Sequence, residues 1–372
     1  MAYVKFGDVV RRANTPVDKD NTTLEYYVGG EHVESGEFLV TKCGIIKGST
    51  IGPMFYFGFK AGDVLIVSRN PHLKKAGRVN FDGVCSEKTF VVETKDNNVL
   101  LQEYLSFVVQ NELFWKYAEK NKSGSVNYFV NWTTIEKYEF ELPSLEEQLR
   151  LADILWAAEK EKQAIRQALS HALSLKKALG QESFINGNKI TIGDCVKKIV
   201  GGGTPSRANP DYYLGDIPWA TVKDIGETDK EKYSTMEYIN PDALKHSASN
   251  LIDANCLIIA TRISLDRQFI NKVPMAINQD LRALYLKENV DVEYLYYWFK
   301  AHFDEIYNES DGTTVRGITI DNVKSLEIHI PDMNTQKKIV NKFTHIDDTI
   351  MSLNKVYTSL SNIQKMIVEA AL

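Results

Sequence analysis

From Val64 to Phe81 the chain carries Arg69, Lys74, Lys75 and Arg78 and no acidic residue. A run of cations like this can neutralise phosphate, the chemistry by which nucleic acids are gripped. A solvated basic loop is the plainer reading. The net charge of −5 argues against indiscriminate coating of nucleic acid but leaves room for a local patch. Base edges are read by Arg, Lys, Asn and Gln presented from loops or helix ends. In the first half the candidates are Arg12, Arg69, Asn70, Lys74, Lys75, Arg78, Asn127 and Asn131. In the second half they are Ser206, Arg207, Lys223, Arg262, Arg267, Asn278, Gln279 and Arg316. Only part of such a set touches nucleic acid, and most of those contacts go to phosphate.

Catalytic patterns are weaker. Asn209-Pro210-Asp211-Tyr212 approaches the Asn/Asp-Pro-Pro-Tyr/Phe pattern with which amino-methyltransferases hold a target amine. Asp211 breaks that pattern, and no glycine-rich strand-turn-helix for a methyl donor accompanies it. Gly201-Gly202-Gly203-Thr204 lacks the Gly-Lys-Ser/Thr of a phosphate loop. It reads better as a tight turn that lets backbone approach another surface. No Ser/His/Asp set has local support. Cys43, Cys85, Cys195 and Cys256 form no C-x-x-C pair, so a metal site is not expected. Buried thiols in a reducing compartment are. Trp132 and Trp219 read as core.

The elements that must position these side chains are written twice. Ser123 to Pro143 reads SGSVNYFVNWTTIEKYEFELP, and Asp311 to Pro331 reads DGTTVRGITIDNVKSLEIHIP. Gly124 matches Gly312, Ile135 matches Val323, Glu139 matches Glu327 and Pro143 matches Pro331. The start of each half agrees as well. Val4 to Val10 and Ile190 to Val196 are both alternating Gly-Asp segments, predicted as half-buried strands. Thr15-Pro16 answers Thr204-Pro205, and Leu65 to Arg69 answers Leu257 to Arg262. Tyr104 to Tyr117 and Val292 to Tyr307 are aromatic-rich helical patterns. A repeat of nearly half the chain is too long for a solenoid. It predicts two similar domains.

Each copy is followed by a long helical pattern. After Pro143, Ser144-Leu145-Glu146-Glu147 forms a capping box, and Gly180 is a natural stop. Leu151, Leu155, Ala158, Ile165, Leu169, Ala172 and Leu179 fall on steps of four and three, with Lys162 and Lys176 interrupting. After Pro331, Asp332 takes the cap, with Thr335 where the box would have Glu. Ile339, Phe343, Ile346, Ile350, Leu353, Tyr357, Leu360 and Ile367 form the second seam, broken at Gln364. Such spacing is a coiled-coil signature. Helices of about 35 residues would be roughly 50 Å long. Paired antiparallel, they would hold two domains at opposite ends of a rod, about one turn of B-DNA (roughly 34 Å) or slightly more apart.

Gly202-Gly203-Thr204-Pro205-Ser206-Arg207, then Tyr212-Tyr213, Gly215, Ile217-Pro218-Trp219 and Lys223-Asp224-Ile225, resembles the opening of a target-recognition domain. The family is that of the specificity subunits of type I restriction-modification systems. Pro143 with Glu147-Gln148, and Pro331 with Gln336, resemble its strand-to-helix joints. The resemblance covers essentially the whole chain in the family's order. The first half departs from it, with Asn14-Thr15-Pro16 in place of the glycine run.

The fold this implies is α+β and pseudo-twofold, with two α/β recognition domains and two long helices forming an antiparallel coiled coil. The expected boundaries are 1–143 and 184–331 for the recognition domains and 144–183 and 332–372 for the helices. The resemblance implies a non-catalytic subunit that reads a bipartite DNA target, one half-site per domain. Its helices would dock two methyltransferase subunits, and a restriction translocase would join them. S-adenosylmethionine, ATP and magnesium would belong to those partners. The acidic balance keeps a second class open, a protein-interaction scaffold with tandem binding domains. Apolar content is 44%, ample for real cores. No run of about 18 apolar residues offers a membrane span, and the first residues lack a signal peptide's regions. A cytoplasmic protein is expected.

Overall fold

A computed structural model describes residues 2–13, 15–226, 229–262, 265–308 and 317–371. Asn14, Gly312 and Arg316 therefore lie outside the described residues. The chain divides into two compact units, Met1–Gln167 with Leu353–Leu372, and Ala168–Ser352.

The first unit opens on strand Ala2–Lys5, paired antiparallel with Glu139–Leu142. One helical turn, Phe6–Val9, then leads into strand Val10–Arg12. The single strand expected over this stretch is thus broken in the middle. The reason is a crossing. The Phe6 and Gly7 amides donate to Tyr138 and Glu136 carbonyls at 2.7 and 2.8 Å. A Cβ on Gly7 would sit 2.7 Å from that of Glu136, so only glycine lets the chain pass so close. The second unit repeats the break. Strand Asn188–Thr191, paired with Glu327–Ile330, gives way to turn Ile192–Cys195 and then strand Val196–Gly201. A reciprocal Thr191–Asp194 capping box holds that turn.

An antiparallel sheet forms the heart of each unit. In the first its strand order is Val10–Arg12, Thr89–Thr94, Val64–Val67 and Ala76–Arg78. In the second it is Val196–Gly201, Leu281–Leu286, Leu257–Ala260 and Gln268–Asn271, extended by Glu231–Lys232, which pairs parallel to the last. The matched segments Leu65 to Arg69 and Leu257 to Arg262 therefore begin on equivalent strands of equivalent sheets. The outer sheets differ. One runs in the order 15–16, 55–59, 83–86, 26–28, 44–45, the other 237–239, 217–220, 275–277, 251–252.

The aromatic patterns are helices, each interrupted once: Gln102–Gln110 and Glu112–Lys120, then Val292–Ala301 and Phe303–Asn308. Asn111 makes the first break, accepting from the Leu113 amide at 2.7 Å and donating to the Val368 carbonyl at 2.9 Å. These helices bury Tyr104, Phe107, Phe114 and Trp115 in one core, and Tyr294, Tyr297 and Trp298 in the other. Cys85, Cys195 and Cys256 are buried and Cys43 half-buried, all unpaired. No described helix is long and apolar enough to cross a membrane.

Two helices of 39 residues, Leu145–Ser183 and Met333–Ala371, run through both units. Each is about 58 Å long at 1.5 Å per residue. Within the first unit, the start of the first lies antiparallel to the end of the second. Gln364 donates to the Leu155 carbonyl at 3.0 Å, and Arg166 reaches the Tyr357 hydroxyl at 2.5 Å. Within the second unit, Lys176 pairs with Asp347 and Phe184 stacks on Phe343. Leu151, Leu155, Ile165, Ile339 and Phe343 are buried, while Leu169, Ile346, Ile350, Leu353 and Leu360 are half-buried. The start of each seam thus packs into a domain core rather than only against its partner helix.

Two expectations about helix ends are corrected. The Glu147 amide donates to the Ser144 hydroxyl at 3.3 Å, but its side chain pairs with Arg150 instead of reaching back. Gly180 does not stop the first helix, which continues to Ser183. A Cβ there would lie 3.1 Å from that of Ala301, so this glycine admits the close approach of a neighbouring helix.

Candidate nucleic-acid interface

In the first domain the structure gathers two distant stretches of sequence. The loop from Ser123 to Phe129 is closed by reciprocal backbone bonds of 2.7 and 3.0 Å. Gly124 takes φ +94°, a conformation costly for any side chain. Asn70 donates its amide to the Tyr128 carbonyl at 2.9 Å, and Val130 to that of Ser68 at 2.9 Å. Arg69 bridges to Phe129. Arg69, Asn70, Asn127 and Asn131 are all exposed here, with Val126 84% exposed at the loop's tip. The Asn131 side chain reaches the Ser123 hydroxyl only at 3.5 Å. Beside them lies a groove of about 430 Å³ whose lining includes Arg69, Asn70, Lys75, Glu87 and Lys88.

The other cations of the basic run have partners within the domain. Lys74 pairs with Glu112 at 2.7 Å and holds that carboxyl below the usual range. Lys75 donates to the Gly30 carbonyl at 2.6 Å. Arg78 lies 3.4 Å from Glu103 and 5.3 Å over the Trp156 ring. The Arg12 guanidinium lies 4.9 and 5.0 Å from the ring centroids of Phe57 and Phe90. Two lysines that sequence reasoning passed over join the loop instead. Lys122 sits 4.4 Å from the Tyr128 ring and Lys88 6.0 Å from that of Phe129, and each also faces a carboxylate, Glu119 at 3.8 Å and Glu87 at 2.8 Å. Neither lies in the acid-free run, and no spacing marks them.

In the second domain the glycine-rich turn is packed hard. A Cβ on Gly202 would fall 1.8 Å from the Ile277 carbonyl oxygen, and one on Gly203 2.7 Å from Ala248. The Gly203 carbonyl accepts from Trp219 Nε1 at 3.1 Å and the Ser249 hydroxyl at 2.5 Å. Trp219 is buried, as a core residue. Arg207 makes a bidentate pair with Glu237, at 2.5 and 2.7 Å, and lies 4.1 Å over the Tyr213 ring. This pairing holds the Glu237 carboxyl low and the guanidinium in place. Asn209 caps the helical turn Pro210–Tyr213, which gives the Asn-Pro-Asp-Tyr stretch a structural task.

Among the remaining candidates, Ser206, Lys223 and Arg262 are exposed. Gln279 is exposed and accepts from the Thr204 hydroxyl at 2.5 Å. Asn278 is buried and bonded to Asp280 at 3.0 Å, and Arg267 donates to the Ile225 carbonyl at 2.7 Å. Arg262 bridges to Gly317, as Arg69 does to Phe129. No group of His, Cys, Asp and Glu able to hold a metal occurs among the described residues.

The two domains share one joint to their long helices. Gln148 is fully buried. Its Oε1 accepts from the Leu101 amide at 2.9 Å, and its Nε2 donates to the Val99 and Pro143 carbonyls at 3.0 Å each. Gln336, equally buried, repeats this with the Asp291 amide at 2.8 Å and the Asn289 and Pro331 carbonyls at 2.9 and 2.8 Å. One amide thus ties the end of the final strand to the start of the aromatic helix in both copies.

Comparison with known proteins bears on this twofold arrangement. Residues 3–174 and 186–362 each match the type I restriction modification DNA specificity domain. The EcoR124I/EcoR124II specificity subunit of Escherichia coli is 34% identical over 172 residues, 44% of this chain and 42% of that subunit. The MjaIX specificity subunit of Methanocaldococcus jannaschii is 31% identical over 163 residues, 43% of this chain and 38% of that one. The matched stretch thus spans about two fifths of these relatives. The type I system S subunit of M. genitalium has the same fold, with a TM-score of 0.63 at 11% identity over 99% of this chain and 95% of that one. A chain from a type I R-M system, solved to explain complex assembly and conformational transition, gives 0.61 at 17% over 100% and 97%. With the specificity domain matched twice along most of its length, the chain belongs to the type I restriction modification DNA specificity family.

Proposed function

We propose that this chain is the DNA-specifying subunit of a type I restriction-modification complex. It carries no catalysis of its own and reads a split target, one half-site per domain. One observation carries the reading: two copies of the specificity domain sit on the same glutamine joint yet present unlike loops and outer sheets. Like joints suit two copies of one partner, and unlike loops suit an asymmetric site. In the first domain Arg69, Asn70, Asn127 and Asn131, with Lys88 and Lys122, form the DNA-facing set. In the second, Ser206, Lys223, Arg262 and Gln279 do. Arg316 is kept as a candidate on its sequence position alone.

The long helices set the unspecified gap and dock two methyltransferase subunits, with restriction subunits joining them in the cytoplasm. The methyl donor, ATP and magnesium belong to those partners. The subunit should be purified with its methyltransferase partner and adenine methylation mapped genome-wide. A split motif with one constant gap is expected; methylation without a shared motif sinks the proposal. The scaffold reading, favoured only by the net charge of −5, predicts that no sequence is enriched from a random DNA pool.

A further inference from the structure

Where the first long helix should be apolar, it buries charge. The side chains of Lys162 and Glu159 are each 1% exposed and lie 3.3 Å apart. Lys162 also reaches Glu37 at 3.0 Å, and Arg166 reaches the same carboxylate at 2.5 Å. From the second long helix, the Tyr357 hydroxyl donates to Glu37 at 2.7 Å and accepts from Arg166. Glu37 alone among these belongs to the body of the recognition domain. Its carbonyl is fastened there by Gln110 Nε2 at 2.8 Å. The cluster is therefore a three-way junction of one domain and two helices.

Stability does not explain such a junction. Desolvating two ion pairs costs about what their attraction returns, and apolar replacements are often as stable. Burial raises the Glu159 pKa against the opposing pull of Lys162 and Arg166. What buried ions can supply is direction, because their pairings hold in few geometries. Among the described residues the second unit has no equally buried ion cluster; Lys230 links its domain to Glu293 at 2.8 Å and to Thr344 at 3.4 Å, but it and Glu293 are about a quarter exposed. Asp347 stands at the same offset from Gln336 as Glu159 from Gln148. It pairs with Lys176, both about a third exposed, and accepts from Tyr297 at 3.0 Å. Those partners come from the long helix and the aromatic helix, not from an outer loop.

We propose that Glu37 is a positioning residue that fixes the angle of the first recognition domain on the paired helices, and through it the gap length of the split DNA site. This rests on the DNA-specifying reading above. A gap change of one base pair displaces a half-site by roughly 3.4 Å along the duplex. It also turns the half-site by roughly 35° about the duplex axis, so accommodating it takes a swing of the domain on the helices, the motion that the Glu37 contacts restrain.

The test uses the complete subunit with its methyltransferase partner and a plasmid library bearing both half-sites at gaps from two shorter to two longer than native. With Glu37→Gln, which keeps size but removes charge, methylation at gaps one base pair off should rise roughly 10-fold relative to the native gap. The half-site sequences should not change. Glu37→Asp keeps the charge and should stay nearer the strict gap. The double change Glu37→Leu with Lys162→Met removes one opposite-charge pair and leaves Glu159 facing Arg166 at 3.6 Å, so it serves if the single variant folds poorly. A strict native gap in both Glu37→Gln and the double variant overturns the inference, as does loss of methylation at every gap in both. A wild-type complex with no split motif would instead overturn the functional reading on which it rests.

Discussion

Replacing Gln148 by Ala should cost the first unit about 3 kcal/mol. The side chain is fully buried and makes three hydrogen bonds, at 2.9, 3.0 and 3.0 Å. Each is worth about 1 kcal/mol net, and orphaning the Leu101 amide and two carbonyls pushes the sum upward rather than down. That is a roughly 150-fold change in the opening equilibrium at about 1.4 kcal/mol per tenfold. Gln148→Glu is the sharper variant. It preserves shape but loses both donated bonds and sets a carboxylate against two carbonyls. Its cost should equal or exceed that of Ala.

Hydrogen exchange under rising urea reads each unit separately, through peptides covering 101–110 and 291–301. Gln148→Ala should expose the first peptide, and Gln336→Ala the second by a similar amount, because its bonds are alike. A Gln148→Glu cost below about 1 kcal/mol would refute the reasoning. So would an effect confined to the wrong peptide.

Gly202→Ala should destabilise the second unit by more than about 2 kcal/mol, since the new Cβ meets a carbonyl oxygen at 1.8 Å; thermal unfolding measures it, and a change under 0.5 kcal/mol contradicts the packing described. Arg69→Ala should weaken DNA binding and lower the salt slope by about one, whereas Lys74→Ala, whose charge is spent on Glu112, should change the slope less. Titrating binding against salt separates the two, and equal slopes would remove Arg69 from the interface. For Glu37, burial pushes its pKa upward, but the Tyr357 bond and the Lys162 and Arg166 charges outweigh it and leave the pKa lowered. A lowered carboxyl pKa stabilises the fold above the unfolded value, and this is lost as pH falls through the folded one. The stability gap between wild type and Glu37→Gln should therefore shrink from pH 7 toward acid in urea unfolding; a gap that widens would show the sign to be wrong.

The repeat was readable because it is written in glycines, prolines and heptad spacing, which act through local geometry. Matched segments such as Leu65 to Arg69 and Leu257 to Arg262 do begin on equivalent strands. The broken first strand was not readable, because Phe6 turns to reach Tyr138, far along the chain. Gly180 misled for the same reason: its partner Ala301 is remote in sequence. Among the candidate residues, type indicated capacity but not availability. Lys74, Lys75, Arg78 and Arg207 are phosphate ligands by type, and only the structure shows that each already has a partner, Glu112, Gly30, Glu103 and Glu237. Lys162 looked like a flaw in a seam, and only Glu37 and Glu159 reveal it as a junction.

The first unit is discontinuous, closing only when Leu353–Leu372 returns to Met1–Gln167. Val368 is in its core and accepts the bond from Asn111. During synthesis at about 5–20 residues per second, the intervening residues would take roughly 10–40 s to emerge. Throughout that interval Leu151, Leu155 and the backbone they protect wait beside an unfilled place. The second unit, contiguous from Ala168 to Ser352, can fold first although it is made later. The half that leaves the ribosome first is thus the last to be completed, and a nascent chain stalled before Val368 would present an open first domain to chaperones and proteases.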